Sequence, residues 1–205
     1  MADTRRAKSN PKGFDFTLHM RRLCEDMTDR LAELRHIDLS RVAISFSQTR
    51  TRALHGMFAS LTPMRFADGR KTMVRQGRRW AIQRLTSPSG REMLYILSFY
   101  LPRFFQLEFR EKLVTIVHEL WHISPEFNGD LRRYEGRCYA HSRGGSHDRQ
   151  SEALADRWLA ERPPETLYSF LRLDFQELQA RYGQVIGVRV STPKLLPIED
   201  VGRRA

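Results

Sequence analysis

Near the middle of the chain, the run from Leu107 to Ile123 is strongly apolar and helix-compatible, and set into it is His118-Glu119-Leu120-Trp121-His122. Leu113, Ile116, Val117, Leu120 and Trp121 surround that motif with apolar groups on almost every side, so the helix must be buried and other elements must pack around it. Two histidines four apart leave one helical face about 6 Å from each other, which lets both imidazoles bind a single Zn²⁺. Glu119, between them, then projects toward a water on that metal. Zinc acidifies the water, and the carboxylate takes its proton and later passes it to a leaving amine. The H-E-x-x-H spacing therefore implies peptide-bond hydrolysis with Glu119 as general base. The competing reading is a pair of half-buried histidines held by hydrogen bonds to backbone or carboxylates.

A catalytic zinc takes three protein ligands, and the third has to come from downstream. The stretch Ser124-Pro125-Glu126-Phe127-Asn128-Gly129, Asp130 to Tyr134 and Gly136-Arg137-Cys138-Tyr139-Ala140-His141 is punctuated by Gly and Pro and should leave the helix and fold back. His141 is the leading choice, since a third neutral imidazole completes the set and the irregular segment before it is long enough to return to the metal. His147 and Glu152 are the alternatives, Glu152 lying in a helix predicted to begin at Ser151, with Asp156 one turn on. A solvated loop or helix face is the plain reading for whichever of these does not bind. Cys138 would serve as a thiolate ligand, although a small buried cysteine is the commoner outcome.

The segment His118 to Tyr134, followed by Gly136 to His141, resembles a group of predicted bacterial, archaeal and phage metallopeptidases. That group is similar in general plan to zincins and more loosely to SprT-like proteases, which also join H-E-x-x-H to a later histidine. The matching stretch covers residues 107–160, with weaker support from Ser45 to Arg50 and Ala59 to Pro63. The resemblance implies His118 and His122 as ligands, Glu119 as catalytic base and His141 as third ligand, and it implies no substrate. Compared with SprT-like sequences the chain has more residues between the second and third histidines and no His-Gly-Pro-Glu-Phe segment.

With 205 residues, 40% of them hydrophobic, the chain is long enough for one domain with a sizeable core. The expected organisation is a basic disordered tail over residues 1–13 and a zincin-like metallopeptidase domain over 14–198. No run of eighteen apolar residues occurs, and nothing apolar follows the basic N-terminus, so a cytoplasmic protein without a membrane span or secretory signal is expected. Cys24 and Cys138 stand far apart and should be reduced thiols. The net charge of +11, dense in the tail, from Arg65 to Arg91 and from Arg132 to Arg149, raises contact with nucleic acid through a basic surface. A solvated surface is the alternative, because arginine outnumbers lysine thirty to five, a bias that a high-GC genome produces by itself.

Phe16, Met20, Leu23, Cys24, Met27, Leu31 and Leu34 predict a first helix from Asp15, with one stripe for the core. Val42, Ile44 and Phe46 predict a strand, Trp80 to Leu85 another, and Ser87 to Gly90 a turn into a strand over Met93 to Tyr100. After Pro163-Pro164 a further helix is expected through Tyr182, and a last strand over Val185 to Val190. The order describes an α+β layer, a mixed sheet packed on helices that include the buried motif helix. No internal repeat, glycine-rich phosphate loop or paired-cysteine ribbon occurs, which removes the usual support for nucleotide hydrolysis and for a zinc-ribbon module. Two functions remain: a zinc-dependent peptidase acting on a protein or peptide substrate, and a basic nucleic-acid-associated protein whose zinc site is structural or vestigial.

Overall fold

The computed structural model describes residues 13–48, 56–133 and 146–198, with the backbone alone at 146–148. All but Gly13 of the expected tail, together with Cys138 and His141, lies outside these residues. The fold is a mixed α+β arrangement containing three small sheets. Among the described residues no helix is long and apolar enough to cross a membrane.

Helix α1 (Phe16–Arg30) starts where the Asp15 side chain accepts the Leu18 amide at 2.9 Å, and it ends as Leu31 turns extended. A short 3-10 turn over Ala32–Leu34 continues it. The predicted stripe is buried along its whole length, Phe16 through Leu34 each being inaccessible to solvent. Each such side chain contributes on the order of 2 kcal/mol by leaving water.

The central sheet has strand order β2–β6–β3, where β2 is Val42–Gln48, β3 is Ala59–Pro63 and β6 is Tyr95–Leu101. Strand β6 is the middle strand, parallel to β2 in the register Val42↔Tyr95 and antiparallel to β3 in the register Leu61↔Leu97. Tyr95, Leu97, Phe99 and Leu101 alternate into the core with no exposure. Phe99 meets Phe16 and Phe104 edge to face at 5.5 and 4.9 Å between centroids, so the aromatic centre ties α1 to the turn after β6.

Two lesser sheets complete the fold. One pairs β1 (Phe14–Asp15) with β7 (Val185–Ile186) in parallel, and the other has the order β4–β5–β8, with β4 at Thr72–Arg75, β5 at Arg78–Ile82 and β8 at Leu195–Ile198. Helices α2 (Phe109–Trp121), α3 (Ser146–Ala160) and α4 (Phe175–Tyr182) supply the remaining layer.

Three expectations need correction. The strand expected over Val185 to Val190 is only Val185–Ile186, because Gly187 at φ 157° breaks the extended run and Val188 instead gives its carbonyl to the Phe46 amide at 3.1 Å, and a further strand, β8, follows it. The helix expected directly after Pro163-Pro164 is two 3-10 turns, Glu165–Leu167 and Ser169–Arg172, before α4 begins at its Asp174/Glu177 capping box. Helix α3 starts at Ser146, five residues before the expected Ser151.

Candidate metal and catalytic site

Helix α2 opens with a capping box in which Glu108 and Glu111 satisfy each other's backbone amides, the Glu108 amide donating to the Glu111 carboxylate at 3.0 Å. Leu113, Ile116, Val117 and Leu120, at positions i, i+3, i+4 and i+7, are fully buried and fix the rotation of the helix. That rotation brings His118, in the last turn, and His122, at the C-cap, to one half-buried side. Their rings stand perpendicular, 4.5 Å apart at the centroids, and their Nε2 atoms are 3.0 Å apart. Two nitrogens on one tetrahedral zinc lie about 3.3 Å from each other at the usual bond length, so the pair converges close to the bite a metal requires. The same distance also suits one neutral imidazole donating to the other.

Glu119 leaves the helix on the neighbouring side and is 8% exposed. Burial pushes its carboxyl up to about 7, against the opposing pull of a backbone hydrogen bond from Leu61. A carboxylate poised there accepts and returns a proton near neutral pH without a large driving force in either direction.

Leu61 belongs to β3, the edge of the central sheet, whose other side is held by β6. The contact places that edge against Glu119. Between them opens a cleft of about 430 Å³ lined by Met57, Ala59, Ser60, Leu61, Glu119, His122 and Leu131. Its far wall comes from the chain after α2. Phe127 and Gly129 both take positive φ, 48° and 91°, and the chain doubles back so that Leu131 bridges Ile123 in antiparallel fashion. Arg132 locks the return: its amide donates to the His122 carbonyl and its Nε to the Trp121 carbonyl, both at 2.7 Å, while the guanidinium lies 4.0 Å over the Trp121 ring. These bonds satisfy carbonyls that the end of a helix leaves open, next to the histidines.

The predicted trio His118, Glu119 and His122 is therefore brought together. Among the described residues no cluster of three or more His, Cys, Asp or Glu side chains is placed to share an ion. His141 and Cys138 lie outside the described residues, and His147 falls in the first turn of α3, where only backbone is described. Glu152 is not brought to the histidines. It is exposed and 3.8 Å from Arg110, which also holds Asp156 through bonds of 2.9 and 2.7 Å. Arg110 is in the first turn of α2, eight residues before His118, a rise of about 12 Å. Cys24 is a core residue whose thiol burial pushes up to about 12.

The edge strand and Leu131 were not singled out as site residues from sequence. Ala59 to Pro63 does carry a signal, since a terminal Pro suits a strand with one unpaired edge. Comparison with known proteins finds no match: no protein-family model, curated protein or solved structure is similar to this chain.

Proposed function

We propose that this chain is a cytoplasmic zinc-dependent metallopeptidase on a zincin-like α+β plan, acting on protein or peptide segments in extended conformation. What carries the reading is one arrangement: two imidazole Nε2 atoms converging to 3.0 Å beside a buried carboxylate, in a cleft bounded by a sheet edge. His118 and His122 would hold the metal, with His141 as proposed third ligand and His147 as the alternative. Neutral imidazoles suit zinc in their donor chemistry. Zinc held there would supply Lewis acidity, bringing the pKa of water toward neutrality and polarising a carbonyl.

The chain's own groups do the rest. Glu119 accepts the proton of the attacking water and delivers it to the leaving nitrogen. Among the described residues strand β3 pairs only with β6, and an extended segment would add along its other edge as one more strand, beside the Leu61 backbone that already bonds Glu119. Leu61 and Leu131 give the cleft apolar walls that keep bulk water from the carboxylate.

A structural zinc closes its coordination with protein ligands and has no use for a buried carboxylate beside it, which favours hydrolysis over the basic binding protein. The test is Glu119→Gln. It should keep zinc while lowering turnover of an unfolded protein substrate by about 10²-fold or more; unchanged turnover would remove Glu119 from the mechanism.

A further inference from the structure

Along an antiparallel ladder only every second residue exchanges its N–H and C=O with the partner strand, and the residues between turn theirs away. In β3 the pattern is pinned by the Tyr100 amide donating to the Phe58 carbonyl and the Met64 amide to the Leu94 carbonyl, each at 2.9 Å. Phe58, Ser60, Thr62 and Met64 therefore face β6 with their main-chain groups, while Ala59, Leu61 and Pro63 direct theirs out of the sheet. Pro63 has no N–H, so Ala59 and Leu61 are the outward donors of this strand. Leu61 and Glu119 line the same cleft. Among the described residues no cation offsets the burial of the Glu119 carboxyl, and the Leu61 amide is the one donor that acts on it.

We propose that the Leu61 main-chain N–H is the positioning group of Glu119, holding one carboxylate oxygen so that the other is presented to the cleft. The contact stands on the ladder pattern, and its consequence for turnover rests on the chain being a peptidase. Glutamate has three side-chain torsions, and burial among apolar walls favours no direction for its two oxygens. An amide within a three-stranded sheet is already fixed, so one hydrogen bond to it passes the rigidity of the sheet to the base. A reacting group displaced by about 1 Å loses up to about 10²-fold in rate. The competing use of the same proton is to dock an added segment. The two uses separate in kinetics: losing a positioning bond lowers kcat, and losing a docking bond raises KM.

Amide hydrogen exchange of the zinc-free full chain, resolved by NMR, tests the contact without any hydrolysis. Glu119→Ala should speed exchange at Leu61 by about tenfold or more, with the Ala59 amide, also outward, changing by less than about threefold. Glu119→Gln removes the charge but keeps an acceptor, so Leu61 should stay within about threefold of wild type. Turnover of casein by the zinc-loaded chain is the second readout. Leu61→Pro deletes the N–H at an outward edge position, where proline is tolerated, and Leu61→Ala keeps the N–H while losing the same apolar wall. The proline variant should fall about tenfold or more below the alanine variant in kcat, at a KM within about threefold. Replacing Leu61 by its α-hydroxy acid, which exchanges only the N–H for an ester oxygen and needs no room for a proline ring, should lower kcat against wild type in the same way. Exchange at Leu61 unmoved by Glu119→Ala, or a raised KM with unchanged kcat on loss of the N–H, would overturn the proposal. A wild-type chain inert toward casein, with Leu61 exchange released by Glu119→Ala, would sink the peptidase reading and still support the contact.

Discussion

The Tyr95 hydroxyl donates to the Asp130 carbonyl at 2.8 Å and accepts the Gly129 amide at 3.0 Å, joining the first residue of the central strand to the loop that returns from the motif helix. Burial pushes the phenol up to about 12, so it remains a donor throughout the working range. Two backbone groups that turn inward at Gly129 and Asp130 depend on it, and Leu131, which follows, walls the cleft.

Tyr95→Phe should therefore cost about 2 kcal/mol in urea unfolding, the penalty for leaving buried donors and acceptors without this partner. Unchanged stability would mean that the loop is held by its other bonds, such as the Arg65 amide to the Gly129 carbonyl at 3.0 Å.

Glu92 carries a pH dependence. The hydrogen bond from Arg65, at 2.7 Å and nearly buried, holds its carboxyl below the ordinary 4.5; burial works against it, and the Arg65 and Arg84 charges reinforce it. Between the folded value and 4.5 the unfolded chain binds more protons, so the stabilisation is present above 4.5 and is lost as pH falls through 4.5 and the folded value. Glu92→Gln should lower stability by about 1–2 kcal/mol at pH 7, and the gap to wild type should narrow below pH 4.5. A gap that is constant with pH would remove the ionised pair as its cause.

Much of the fold was legible because period and burial agree. The α1 stripe and the α2 run repeat every three to four residues, and β2 alternates, so each buries the face its pattern marks. The β4–β5–β8 sheet was harder to read. Half or more of it is exposed on both faces, so no alternation develops, and β8 joins β5 across more than a hundred residues. In the site, a motif on one helix was readable because its spacing is local. The β3 edge facing Glu119 depends on strand order, which no local pattern encodes.

The third metal ligand separates by substitution. His141→Ala should weaken zinc affinity by about 10-fold or more, with His147→Ala and Glu152→Ala staying within a few fold. Glu152 already pairs with Arg110, so its removal should be felt there. Wild-type affinity in His141→Ala with loss in His147→Ala would transfer the role to that residue.

If His118 and His122 share one metal, as their converging Nε2 atoms suggest, the purified chain should contain it. Elemental analysis of the purified chain tests it most directly. Wild type should carry about one zinc per chain, and either His118→Ala or His122→Ala should lose most of it. Full zinc content in the double variant, with the protein folded by circular dichroism, would contradict it.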